Sequence, residues 1–199
     1  MINFISNQTF NNLSNWSPNL GAAASINATW SFASVMAGMT QGTGVTNRIG
    51  NQVHVVAIEL VCRLIPNQSA ATIVAGTVCR LVLFKYKDPN GSLPNMTGTG
   101  PQIFDQNVVM TGRNIANIKS FTLLEDFTHN MIQTSTTPSA GPMFTKIIRV
   151  PCNFKFNYSG NAGTISDCVN NDVVMGVCAD NNGCCIISTL TAKVWFKDL

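Results

Sequence analysis

Charged side chains are scarce in this chain. Asp, Glu, Lys and Arg make up 11% of its 199 residues, about half the usual share, and Lys and Arg are missing altogether from residues 1 to 47. A surface so poor in charge suits a protein whose outside is covered by neighbours, because a solitary domain keeps more charge for solubility. Asn, Thr, Ser and Gly fill the polar positions instead.

Long apolar runs are missing too, since none approaches the ~18 residues of a membrane span. The opening MINFISNQTFNN lacks the positive start and the apolar core of a signal peptide. The expectation is a soluble chain, not secreted through a signal peptide and with no membrane partner. Sequons such as those at Asn27 and Asn157 are then by-products of an Asn-rich and Ser/Thr-rich composition. Seven cysteines are an odd count and include no C-x-x-C pair, so buried thiols are expected rather than a disulfide framework. The two histidines, His54 and His129, lie far from the Cys184-Cys185 doublet, and neither a metal site nor any other cofactor is expected. Catalysis lacks its parts as well: there is no Gly-x-Ser-x-Gly elbow and the carboxylates are scattered, so the chain is not read as an enzyme.

What the sequence has in abundance is β pattern. Within residues 53–64 the even positions Val56, Ile58, Leu60, Cys62 and Leu64 form an apolar face, while Glu59 and Arg63 lie on the odd one. Residues 72–87 form a second β stretch that stops at Asp88-Pro89-Asn90-Gly91. Residues 92–119 read as a long loop with one helical turn. A strand or hairpin arm follows at 121–132. In 144–156, Phe144, Ile148, Val150, Cys152, Phe154 and Phe156 share a face with Lys146 as its exception, and Arg149, Asn153 and Lys155 face the other way. Pro151 removes a ladder donor there and predicts an edge or a bulge. Residues 173–178 and 185–197 supply the last strands, the latter with Ile186, Leu190, Ala192, Val194 and Phe196 inward. No amphipathic helix separates these runs, which excludes βαβ units and points to an antiparallel sandwich.

Before the first long strand stands QGTGVTNRIG, residues 41–50. A phosphate loop needs a helix after it, and here a β run follows, so the glycines serve a turn. Arg48 is expected to anchor that turn on a carboxylate or a backbone carbonyl.

Gln41-Gly42-Thr43-Gly44, then Arg48-Ile49-Gly50 and a long strand, resembles the start of the first jelly-roll strand in small capsid proteins of circular single-stranded DNA viruses and satellite plant RNA viruses. The order continues through Asp88-Pro89, Gln102-Ile103-Phe104-Asp105, Phe121–Asp126, Lys146–Phe156 with Tyr158-Ser159-Gly160, Asn171–Val174 and a terminal Val194-Trp195-Phe196-Lys197-Asp198. The resemblance implies an all-β, eight-stranded antiparallel jelly roll with few helical turns. In it residues 1–29 are an extended arm or lead-in segment and 30–199 the capsid domain. Its implied work is self-assembly into a small icosahedral shell of about 60 copies, so that the chain's main partner is itself and its location the virion, made in the host cytoplasm. Single-stranded viral nucleic acid is the second implied partner.

That family's arm is usually rich in Lys and Arg, and here residues 1–47 carry neither. About 60 copies at +3 each supply about 180 positive charges, whereas a genome encoding the 199 residues alone needs 597 phosphates. Charge balance by this chain therefore falls short by more than threefold; a basic arm in a precursor, counterions, another protein or empty particles would each account for that. Arg48, Arg113 and Lys119, in loops or at strand starts, are the candidate nucleic-acid contacts. Trp16, Trp30 and Phe32 are the candidate inter-subunit anchors, set against the simpler role of capping the sandwich. The alternative function is a non-viral jelly-roll binding module, lectin-like or trimeric-ligand-like, since a fold alone does not choose between them.

Overall fold

Alternating burial along residues 52–66 makes this run the central strand of the larger of two sheets. A computed structural model describes residues 14–16, 24–43, 47–66, 77–96, 102–131, 143–181 and 185–198. In chain order the strands are β1 (Ser14–Trp16), β2 (Ala24–Ile26), β3 (Ser31–Ser34), β4 (Gln52–Pro66), β5 (Thr77–Tyr86), β6 (Phe121–Met131), β7 (Phe144–Tyr158), β8 (Cys168–Asn170), β9 (Asp172–Ala179) and β10 (Cys185–Asp198). Among the described residues helix is confined to 3₁₀ turns at Ile115–Ser120 and Ile165–Asp167.

Sheet A runs β1-β10-β4-β7-β8, with β2 also on β10, and sheet B runs β3-β9-β5-β6. Four antiparallel pairings nest inside one another: β1 and β2 with β10, β3 with β9, β4 with β7, and β5 with β6. That is one long hairpin rolled across two sheets, a jelly roll. β1 and β2 share one edge of β10, where Ser14 pairs with Phe196 and Ile26 with Cys185. The segment read as a lead-in arm thus supplies the first strand of the roll, and the run after Gly50 supplies the third position rather than the first. Sequence patterning missed this because β1 and β2 are three residues each, too short to show a period.

Two apolar layers result. The main core lies between the sheets and includes Ile58, Leu60, Leu81, Met175, Val194 and Phe196. A second lies on the outer side of sheet B, where Trp30, Phe84, Tyr86, Phe104, Phe121 and Val174 gather beneath the segment joining β5 to β6. β9 is accordingly buried on both faces along its whole length.

Two inward faces differ from the expected alternation. Val53 and Val55 are fully buried in β4, together with Ile58 and Leu60, because a bulge after Val55 takes up one residue and moves the inward parity from odd to even. Val56 is left half-buried. Pro151 pairs with Ala57 at that bulge, one of the two settings its missing N–H predicts. In β10 the shift between Ile187 and Thr189 turns Cys185 and Ile187 inward and leaves Ile186 half-buried. The described cysteines are free thiols, five of them buried and Cys152 half-buried; burial pushes Cys62 and Cys152 up to about 12. Cys184 lies outside the described residues.

Candidate assembly surface

Between β5 and β6 the chain folds back over the second core, and three sets of contacts hold it there. Phe104 stacks on Trp30 with ring centroids 4.2 Å apart, and Phe121 meets Phe84 edge-on and Tyr86 face-on. The Trp30 backbone N–H donates to Asn107 Oδ1 at 2.8 Å and its indole N–H to the Val108 carbonyl at 3.0 Å. From β5, Arg80 holds Asp126 with Nε and Nη2 at 2.8 and 2.6 Å, and donates through Nη1 to the carbonyls of Val109 and Thr111 at 3.1 and 2.7 Å. A planar guanidinium alone has the donors to bind a carboxylate side-on and still reach two carbonyls.

The loop closes on itself as well. Asp105 N–H donates to Gly112 O, Asn114 N–H donates to Ile103 O, and the Asn114 side chain caps the 3₁₀ turn at Ala116 N. A segment fixed this way has no freedom to tuck in the apolar side chains left on its outside. Val108 is 44% exposed, Met110 72%, Ile115 79% and Ile118 48%, half of the large exposed hydrophobics among the described residues. Ile115 and Ile118, three apart on a 3₁₀ turn, lie one above the other. Exposed apolar groups concentrated on one segment make it a candidate contact surface.

The expected anchors are placed differently. Trp30 is 7% exposed and belongs to the second core, so within the subunit it holds the loop down; its role as an inter-subunit anchor is withdrawn because its surface is already covered. Phe32 is half-buried, edge-on to Phe84, and borders an open cleft of about 550 Å³ with Thr29, Leu93, Pro94, Met96 and Asn107. The backbone of Trp16 is in β1, opposite Val194; its side chain lies outside the described residues.

The three candidate nucleic-acid contacts do not converge. Arg48 is fully buried. It donates to the carbonyls of Met39, Gly50 and Gly160 and to Asn51 Oδ1, and lies 4.0 Å from the Tyr158 ring centroid. Burial lowers its pKa from the usual arginine value, and Tyr158, Asp167 and Asp198 oppose that shift. The anchoring role is the one observed; contact with nucleic acid is corrected, because each guanidinium nitrogen is occupied inside the subunit. Gly163 backs the same site with φ +67°, where a Cβ would collide with the Met39 backbone. Arg113 and Lys119 are exposed, beside the apolar outcrop and on the outside of sheet B.

Carboxylates that could have shared a cation are engaged separately: Asp126 by Arg80, Glu125 by Lys146 at 3.8 Å, and Asp167 by the cap of its own turn. His129 stacks on Phe144 at 3.7 Å and burial lowers its pKa. His54 hydrogen-bonds Asn153 at 2.8 Å. Among the described residues no three His, Cys, Asp or Glu side chains gather as a metal site.

Sequence reasoning passed over Val108, Met110, Ile115 and Ile118, since single aliphatics in a polar loop carry no period; the density of such residues without a strand pattern was the available signal. A scan of the chain against protein-family models finds no match, and a search of curated proteins finds none either.

Proposed function

We propose that the protein is a structural rather than catalytic one, a viral jelly-roll capsid subunit whose work is to bind copies of itself and close a small icosahedral shell around a genome. The rigid outcrop of Val108, Met110, Ile115 and Ile118 is the observation that carries the reading. Each such side chain gains roughly 1.5–3 kcal/mol when fully covered, and its loop is already ordered, so association costs little extra conformational entropy. The charge-poor composition supports the same conclusion, as a shell subunit needs few charges where neighbours cover it. Repetition of one such contact around symmetry axes turns modest pairwise affinity into a closed particle.

The open cleft beside Phe32 favours a second reading, a jelly-roll module that binds a small ligand without forming a shell. Particle size decides between them. Light scattering on the purified chain, with the 260/280 nm absorbance ratio on the same fraction, is expected to show a monodisperse species of shell dimensions. A monomer or trimer at every salt and pH would exclude the capsid function and leave the binding module.

A further inference from the structure

β5 and β10 belong to different sheets, yet each sends a cysteine to the same place in the main core. Cys79 of β5 is 2% exposed, and Cys185, the first residue of β10, is fully buried. Cys185 Sγ lies 3.1 Å from Met131 Sδ. Met131 pairs with Thr77, two residues before Cys79 along β5, and so stands diagonally across from Cys79 on the inner face of sheet B. The Cys79 thiol also shares a hydrogen bond with that of Cys185.

A thiol is a weak donor and a weak acceptor, so this contact gives folding little that an aliphatic pair would not. What it adds is chemistry. Facing sheets run about 10 Å apart, and thiols already in contact leave only a few ångström of closure before their Cα atoms reach the ~6.8 Å limit of a disulfide. Links of this inter-sheet kind hold immunoglobulin sandwiches. The neighbouring thiols are set apart: Cys178 lies in the second core, on the other face of sheet B, and Cys62 is opposite Leu190, further along β10.

We propose that Cys79 and Cys185 are a modification site, at which a low-molecular-weight disulfide such as oxidised glutathione converts the two thiols into a disulfide that clasps sheet A to sheet B. The Cys185 thiolate attacks one sulfur of the oxidant and expels a glutathione thiolate, which takes up the proton that Cys185 released. The Cys79 thiolate then attacks the Cys185 sulfur of the mixed disulfide and expels the second glutathione, which takes up the Cys79 proton. Two protein thiols are oxidised and one glutathione disulfide is reduced to two thiols. The hydrogen bond with Cys185, and after it burial, hold the Cys79 thiol above its ordinary range, so the reaction waits on local opening. Cys185 stands at the end of its strand, where opening costs least. The pair therefore stays reduced while the chain folds under reducing conditions and closes slowly under oxidising ones.

A peptide map of the full chain tests this. The protein is incubated with excess oxidised glutathione in mild urea, which promotes local opening, free thiols are blocked with N-ethylmaleimide, and tryptic peptides are separated without reduction. The expected product joins the peptide of residues 64–80, whose one cysteine is Cys79, to the peptide of residues 156–193, which holds Cys185, with loss of two hydrogens. Cys184→Ser should leave that product and Cys185→Ala should abolish it. Closing a loop of about 100 residues should raise the melting temperature by about 10 °C, and dithiothreitol should reverse the rise. Full alkylation of Cys79 and Cys185 after prolonged exposure, loss of the product in Cys184→Ser, its survival in Cys185→Ala, a link between two chains on a non-reducing gel, or a lowered melting temperature would each overturn the clasp. The wild-type map decides the matter even if Cys185→Ala fails to fold. None of these readouts needs a particle, so failure here leaves the assembly reading untouched, and failure to assemble leaves the clasp.

Discussion

Arg48 lies over Tyr158 with its guanidinium carbon 4.0 Å from the ring centroid, while the Tyr158 hydroxyl donates to the Met36 carbonyl at 2.9 Å. The pair ties the chain before β4 to the end of β7. Arg48→Ala leaves several buried carbonyls without donors and is expected to cost about 2–4 kcal/mol. Arg48→Lys should recover less than half, because an ammonium cannot serve all of those acceptors from one plane. Urea denaturation midpoints at constant m would show this; a wild-type midpoint in the alanine variant would mean the tie is dispensable.

Asp172 gives folding a pH dependence of a particular sign. It is fully buried; Ser34 Oγ donates to its Oδ1 at 2.8 Å, and its Oδ2 has no hydrogen-bond partner among the described residues. Burial pushes its pKa up from 3.8 to about 7, opposed by bonds from Ser34 and Val173 N–H. The folded state therefore holds a proton that the unfolded state releases, so this stabilisation is complete below about pH 4 and is lost as pH rises to about 7. Tyr158 and Cys168, which face it, are both pushed upward by burial and stay neutral across that window. Asp172→Asn cannot ionise, so its stability relative to the wild type should rise between pH 4 and 8 by up to about 4 kcal/mol. Parallel curves from denaturant melts would show that Asp172 does not titrate there.

Charge placed on the outcrop should separate folding from association. Met110→Asp with Ile115→Asp is expected to leave the circular dichroism spectrum and melting temperature near wild type, since both side chains are already in water, and to abolish the large species in light scattering. Particles that survive the double change would place the contacts elsewhere.

Arg80 should control whether the outcrop exists at all. Arg80→Ala removes two loop carbonyls' donor and strands Asp126, an expected loss of roughly 2–3 kcal/mol. Freed from the loop, Trp30 would meet water and tryptophan emission should shift to the red. A destabilised variant with unshifted emission would show that the Trp30–Phe104 stack alone holds the segment.

The strands after Gly50 were legible because burial on one face writes a period of two into the residues, and Arg48 was legible as an anchor because an arginine among glycines and amides has few other uses. The bulges after Val55 and Ile187 were not, since either parity of those runs is apolar enough to face inward. Trp30 reads equally well as an interface anchor or a core residue, and only the loop above it decides that.

Local chemistry therefore determined the long strands after Gly50, the turn at Asp88–Gly91 and the thiol character of the described cysteines, all of which depend on neighbours a few residues away. Tertiary structure alone decided that residue 14 pairs with residue 196, that four aliphatics of one loop stand in water, and that Lys155, His54 and Lys197 form a single rung. The reason is the rolled hairpin: its pairings join the most distant parts of the chain, so the surface charge pattern exists in register and not in sequence.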